Sequence, residues 1–304
     1  MTDLAGPSQP TRTIGRSVAG YIAITKPRII ELLLVTTIPT MILAAGGWPD
    51  VQVAIAVLIG GTLAAGGANA FNSVYDRDID AVMTRTRHRP VASGEVSVAG
   101  GLVWATILSL ASLVILAAYA NLLAASLALV AIVFYAVGYT MILKRRTAQN
   151  IVWGGAAGCM PVLIAWAAVT GSLTWAPVVL FLIIFWWTPP HYWPLSLRYR
   201  DDYAAAGVPM LPVVAERPVV MRQITIYSWL MVLTSLALIP IAPMGWVYIV
   251  SSVVLGGVFL FEAHALGRRV KRDDEDVRPM RLFHWSITYL ALLFLAVAVD
   301  PFVG

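Results

Sequence analysis

Apolar residues in this chain come in long runs separated by short polar segments. A helix that crosses a bilayer needs roughly 20 mostly apolar residues. Nine stretches meet that need, at about 29–48, 52–72, 98–119, 121–142, 150–169, 175–196, 223–242, 245–266 and 282–302. The polar segments between them are unequal. Those at about 73–97, 197–222 and 267–281 are long, and those on the alternate side are turns of a few residues. The first 25 residues carry Ser, Thr, Pro, Gly and Arg with no apolar core, which predicts a mobile tail and not a signal peptide.

Charge sharpens this pattern. Of 304 residues, 59% are hydrophobic and 12% charged, too few charges to cover a soluble globule and too many apolar groups for a disordered chain. All 21 Lys and Arg fall on alternate segments: the N-terminal segment through Arg28, then Arg77 to Arg89, Lys144 to Arg146, Arg198 to Arg222, and Arg268 to Arg281. That alternation fits nine helices with an inside N-terminus and an outside C-terminus. It also accounts for the net charge of +5 without nucleic acid. The single cysteine, Cys159, excludes an internal disulfide and a thiolate metal cage. A faint repeat is visible: basic residues precede helices 1 and 5, and acidic clusters follow helices 2 and 6. The predicted fold is therefore an all-α polytopic membrane protein, with two four-helix pseudo-repeats plus one helix around a cavity. Residues 26–304 form its single domain.

The most informative polar stretch runs from Asn72 to Asp80. Asn72, Asp76 and Asp80 are spaced i, i+4, i+8 and share one stripe of a helix, with Asp78 on the other side. Two carboxylates and an amide facing one way need a cation, and hard oxygen ligands select Mg²⁺ or Ca²⁺. Arg85, Arg87 and Arg89 follow and supply an anion-binding side. A second cluster, Arg198-Tyr199-Arg200-Asp201-Asp202-Tyr203, takes the matching place in the second unit. Asp201 and Asp202 are candidates for a second metal, or for one metal bridged by a diphosphate. Lys144, Arg145 and Arg146 are topology signals that also suit phosphate.

Helix 6 ends in Phe185-Trp186-Trp187-Thr188-Pro189-Pro190-His191-Tyr192-Trp193, where two prolines predict a break or kink. The aromatics, with Trp193, offer a flat apolar wall, and Arg198 and Arg200 offer partners for carboxylates. Gly154, Gly155 and Gly158 read as close helix packing and not as a nucleotide loop. Glu31 and Glu262 are costly near or inside a membrane without a role.

Together these parts describe a cavity with Mg²⁺-type ligands, a basic rim and an aromatic channel, which suits a lipid-like diphosphate. The chain resembles the intramembrane UbiA-type prenyltransferases. The broad match is Asn72-xxx-Asp76-xxx-Asp80. Narrower matches are Asp80-xx-Met83-xx-Thr86-xx-Arg89-Pro90, Leu143-Lys144-Arg145-x-Thr147-xx-Asn150-Ile151, Gly154-Gly155-xx-Gly158-xx-Pro161, Thr188 to Trp193, and Asp202-Tyr203-xx-Ala206-Gly207-xx-Met210-Leu211-Pro212-Val213. These narrower motifs are similar to the branch that farnesylates haem.

The resemblance implies nine helices around a lipid-open cavity in the inner membrane, with the site loops cytoplasmic. It implies transfer of a farnesyl group from farnesyl diphosphate to a vinyl group of haem B, with water addition and Mg²⁺. Downstream haem-modifying or oxidase-assembly proteins are the partners it admits. The catalytic set it implies is Asn72, Asp76, Asp80, Asp202, Lys144 and His191. Arg85, Arg89, Lys144, Arg145 and Arg200 would neutralise diphosphate, and His191, Trp193 and Arg198 would meet the acceptor. Where other members carry Asp-xxx-Asp, this chain has Asp201-Asp202, and the resemblance favours Asp202. A prenyltransferase for a quinone precursor would share the first motif, and a cation-coupled transporter would need ionisable groups across the midplane.

Overall fold

In the computed structural model, residues 14–272 and 277–303 are described, and among them the chain is helical with connecting turns. The order is α1 (Ile14–Ile24), α2 (Pro27–Ala45), α3 (Val51–Tyr75), α4 (Arg77–Val82), α5 (Val98–Tyr119), α6 (Leu122–Val133), α7 (Asn150–Thr170), α8 (Trp175–Arg198), α9 (Arg200–Ala205), α10 (Leu211–Val214), α11 (Arg217–Ile241), α12 (Trp246–Lys271) and α13 (Pro279–Val303). α6 runs on without a break into π-helical turns over Phe134–Leu143.

Among the described residues, eight helices are long and apolar enough to cross a membrane: α3, α5, α6 with its π extension, α7, α8, α11, α12 and α13. The first expected span, α2, has 19 residues. Arg28 and Glu31 stand in its first turns, and the apolar run Leu33–Ala45 follows them. Side chains such as Val103, Leu110 and Val114 of α5 and Val250, Val253 and Val254 of α12 stay exposed, as lipid-facing groups do.

Local chemistry sets the helix ends. Asp50, Ser97 and Asn121 cap α3, α5 and α6 by accepting from Val53 N, Gly100 N and Ala124 N at 2.9–3.1 Å. α2 closes at Gly46, whose φ of 63° suits a residue without Cβ. The N-terminal tail read over residues 1–25 divides in two. Residues 1–13 lie outside the described residues, and Ile14–Ile24 form α1. Ile24 of α1 is buried, and Tyr21 packs edge-on against Trp104 of α5 at 6.1 Å.

The spans form a ring in chain order, closed by α13 against α2. The first helices of the two four-helix units, α2 and α7, pack on each other, and α13 seals the second unit against α8 and α12. Small residues bring α3 and α5 together: a Cβ on Gly67 would sit 2.4 Å from Ser109 Oγ, and one on Gly60 2.7 Å from Leu116. Buried Glu262 of α12 pairs with Arg281 of α13 at 2.6 Å, so this carboxylate fastens two helices, while Glu31 is exposed.

The break expected at Pro189-Pro190 is absent. α8 continues through Pro189, Pro190 and Pro194, all buried. The prolines free the carbonyls of Phe185, Trp186 and Pro190, and their burial among neighbouring helices is the setting in which membrane helices tolerate proline.

Candidate active site

Asp76 lies between α3 and α4, yet the helical hydrogen-bond register carries across it. Asp76 N donates to Asn72 O at 2.9 Å and Asp80 N to Asp76 O at 2.8 Å. Asn72, Asp76 and Asp80 therefore share one stripe, and all three are buried. Each is met by a cation from a different part of the chain. Lys26 Nζ donates to Asn72 Oδ1, Lys144 Nζ to Asp76 Oδ2, and Arg89 Nη1 to both oxygens of Asp80 at 2.9 Å. Asn72 Nδ2 links the set by donating to Asp76 Oδ2 at 2.7 Å and to Thr140 Oγ1 at 3.1 Å.

Two backbone features deliver these cations. Lys26 has φ 56° and ψ 62°, a left-handed conformation that costs a side-chain-bearing residue energy and recurs at functional sites. Burial, then Arg89 and Lys144, lower its pKa to about 7. Lys144 ends the π-helical turns, its N–H bonding Tyr139 O five residues back at 2.9 Å. Such turns cluster at functional sites. Here they aim Thr140 at Asn72 and Lys144 at Asp76.

Asp78 points away from the stripe, as its spacing predicts. Its carboxylate is held by Arg145 through two 2.7 Å bonds, which pull its pKa down to about 2. Arg145 also covers the Tyr75 ring at 4.8 Å and stands 3.7 Å from Asp76 Oδ1. Arg145 is thus already engaged on the outer side of the helix.

The second cluster meets the first through packing of Ile79 and Met83 against Tyr203, Val208 and Met210. Asp202 Oδ2 accepts from Arg85 N at 3.4 Å. The Arg85 guanidinium lies over Tyr199 at 5.6 Å and reaches Tyr203 OH at 3.5 Å, and Tyr203 OH bonds Tyr192 OH at 2.9 Å. Burial and the Tyr192 phenol hold the Tyr203 hydroxyl protonated well above the usual range. Asp201 is exposed.

Four candidates stand elsewhere. Arg200 Nε is spent on Pro212 O at 2.8 Å, and Arg200 and Arg198 line a separate cavity of about 580 Å³. Trp193 is wholly buried edge-on against Tyr227 at 5.6 Å, in the core of the second unit. His191 faces α13, stacked between Trp187 at 4.1 Å and Phe283 at 4.7 Å. The Ser286 hydroxyl spends its hydrogen on Phe283 O at 2.5 Å, so His191 Nδ1 donates to Ser286 Oγ at 2.6 Å and Nε2 keeps a lone pair.

Next to the stripe an apolar cavity of about 130 Å³ opens between α2, α3, α6 and α7. Asn69 and Tyr135 line its polar end, and Leu34, Ala65, Ala131 and Gly158 line its apolar part. Gly154 and Gly155 are packing glycines, since a Cβ would meet Tyr139 at 2.2 Å and Thr188 at 2.9 Å. Gly158 is different: a Cβ there would meet nothing within 4 Å.

The donor chemistry fits Mg²⁺. The stripe offers only oxygen ligands toward one side, and Asp76 Oδ1 is buried without a hydrogen-bond partner. Among the described residues no three carboxylate, imidazole or thiolate groups could hold a metal alone. A Mg²⁺ ion here would take part of its shell from phosphate oxygens, as Mg²⁺ sites commonly do.

A sequence model of the UbiA prenyltransferase family matches residues 33–287. The chain belongs to the UbiA prenyltransferase family. Relatives within it include a protoheme IX farnesyltransferase of Clavibacter sepedonicus, 58% identical over 95% of this chain and 94% of its own length. A protoheme IX farnesyltransferase of Streptomyces avermitilis is 55% identical over 97% of each chain. Among solved structures, a digeranylgeranylglyceryl phosphate synthase shares the fold with a TM-score of 0.75 at 17% identity, over 94% of this chain and 98% of its own. A UbiA homologue of Archaeoglobus fulgidus, bound to GPP and Mg²⁺, does so with a TM-score of 0.65 at 16% identity, over 92% and 100%. This UbiA member is an intramembrane prenyltransferase and a multi-pass membrane protein.

Two side chains that touch the stripe were absent from the expected site set. Lys26 was read as a topology charge, and the signal for it was its place beside Pro27 at a helix start. Thr140 had no signal, because nothing in an apolar run marks a π-helical turn.

Proposed function

We propose that this chain transfers the farnesyl group of farnesyl diphosphate to a vinyl carbon of haem B and that water completes a hydroxyethylfarnesyl side chain. The observation that carries the chemistry is the buried Asn72, Asp76 and Asp80 stripe, ringed by Lys26, Lys144 and Arg89 and adjoining an apolar cavity. That the 55–58% identical relatives are protoheme IX farnesyltransferases supports the acceptor.

Asn72, Asp76, Asp80 and Asp202 would hold Mg²⁺, which when bound neutralises diphosphate charge. Lys26, Lys144, Arg85 and Arg89 grip the diphosphate as its C1–O bond breaks and the electron pair leaves with it. The prenyl chain lies along Ala65, Ala131 and Gly158, a wall that keeps water from the allylic cation. The vinyl π electrons form the new C–C bond, and water adds to the resulting cation with loss of a proton. His191, with its bare Nε2, positions the acceptor or takes that proton. The chain sits in the inner membrane with these loops cytoplasmic.

Membranes holding the protein, given haem B, farnesyl diphosphate and Mg²⁺, are expected to yield a haem heavier by one farnesyl and one water in mass spectrometry. Untouched haem beside a prenylated phenolic quinone precursor would overturn the acceptor and leave the prenyl transfer standing.

A further inference from the structure

The cavity of about 580 Å³ that takes up Arg198 and Arg200 is set apart from the acidic stripe. Its walls come from the last turn of α8, the starts of α9 and α11, the end of α12 and the start of α13. All of these termini belong to the basic-loop side, so the cavity sits at the level where a bilayer's headgroups begin. Among the described residues, Arg198, Arg200 and Arg217 line it with one acidic side chain, Glu216. Arg198 and Arg217 make no ion pair or side-chain hydrogen bond among the described residues, and the pairing of Arg200 Nε with Pro212 O leaves both of its terminal nitrogens as donors. In the same last turn of α12 as Val270 of the cavity wall, Arg269 has Nε and Nη2 buried with no hydrogen-bond partner. The rest of the wall is apolar: Leu197, Ala215, Val220, Val270 and Val277.

Guanidinium groups facing an apolar recess at the membrane surface match one ligand chemistry, a phosphate with a hydrocarbon body. Arginine grips phosphate oxygens in pairs, and basic pockets between membrane helices take anionic headgroups. We propose that this cavity binds the headgroup of an anionic phospholipid, as a site separate from the prenyl-transfer centre. A seated lipid would tie the ends of α8, α11, α12 and α13 together where the basic loops leave the bilayer. It also explains why Arg200, expected at the diphosphate, and Arg198, expected at the acceptor, stand apart from the acidic stripe.

The test uses the full-length protein in detergent, with native mass spectrometry and phosphatidylglycerol or phosphatidylcholine of equal chain length as probes. Phosphatidylglycerol is expected to bind tighter, and Arg198→Gln and Arg217→Gln each to weaken it roughly fivefold. Lys271→Gln, a charge on the same side but outside the lining, is expected to leave it unchanged. Thermal unfolding without lipid checks that the variants fold, and Arg217→Lys, which keeps the charge, is expected to retain part of the affinity. Equal binding of the two lipids, or equal losses in Lys271→Gln, would reduce the site to diffuse attraction and overturn the proposal. Competition by inorganic phosphate at the same concentration would show a phosphate site with no use for the lipid body, and displacement by haem B would give the cavity to the acceptor. Either result also overturns it, and none of these outcomes bears on whether haem is farnesylated.

Discussion

The two acidic clusters occupy matching places after the second helix of each four-helix unit, yet they are built differently. In the first, the α3 register runs through Asp76 into α4, so Asn72, Asp76 and Asp80 are buried on one stripe and each faces a cation. In the second, α8 ends at Arg198 and the same i→i−4 bonds carry across Tyr199, from Tyr199 N to Leu195 O and from Tyr203 N to Tyr199 O at 3.2 Å, so the stripe there is Leu195, Tyr199 and Tyr203. Arg200 and Asp201 lie off that stripe, with Arg200 bonded to Pro212 O and Asp201 exposed, and only Asp202 faces the first cluster, through Arg85 N. The matching position thus does not carry matching chemistry. The same helical register concentrates three ligands where its i, i+4, i+8 positions are Asn72, Asp76 and Asp80, and delivers one where the carboxylates stand side by side at Asp201 and Asp202.

The largest effect that tests this asymmetry is loss of a stripe carboxylate. Asp80→Asn is expected to lower kcat/KM for haem farnesylation by about 10³-fold, the upper range for removing one preorganised electrostatic group. Asp76→Asn should match it and also destabilise the protein by about 3 kcal/mol, since it breaks a buried ion pair with Lys144. Thermal unfolding beside product assays separates the two losses. A rate near wild type in Asp80→Asn would remove the stripe from the reaction.

Lys144→Gln comes next, at about 10²-fold, because a cation placed by the π-helical turns on Asp76 is one of several around the diphosphate. The loss should appear as weaker farnesyl diphosphate binding with haem binding unchanged. Gly158→Leu sharpens the picture from the apolar side. Open space around this glycine lets the variant fold, and the leucine fills the proposed prenyl cavity. KM for farnesyl diphosphate is expected to rise several tens of fold, and a shorter prenyl diphosphate should be less affected. Equal losses for both chain lengths would place the prenyl chain elsewhere.

Much of this was legible in the chain. Apolar runs and basic segments marked the spans because crossing a bilayer imposes its length and polarity on each helix separately. The stripe was legible because i, i+4, i+8 spacing is a property of one helix. What stayed hidden depends on partners far along the chain. Lys144 meets Asp76 across 68 residues, through a change of helical period that apolar composition does not record. The prolines of α8 promise a break, yet the helix continues through them, and Arg200 leaves the expected site by bonding Pro212 O, 12 residues along the chain. Gly158 looked like its neighbours Gly154 and Gly155, and only tertiary packing shows which glycine faces open space.

The smallest effects come from the second cluster, and their order sharpens the comparison most. Asp202→Asn is expected to cost about tenfold in kcat/KM: it removes one charge that faces Arg85 but leaves the stripe intact. Asp201→Asn should change the rate less than twofold and stability by under about 0.5 kcal/mol, the usual range for an exposed surface group. Measured side by side at saturating Mg²⁺ and again near its half-saturating concentration, Asp202→Asn should show the larger loss at low Mg²⁺, and Asp201→Asn the same small change at both. If Asp201→Asn equals or exceeds Asp202→Asn at low Mg²⁺, the second cluster holds metal through both carboxylates, and the two units are chemically alike despite the different residues on their stripes.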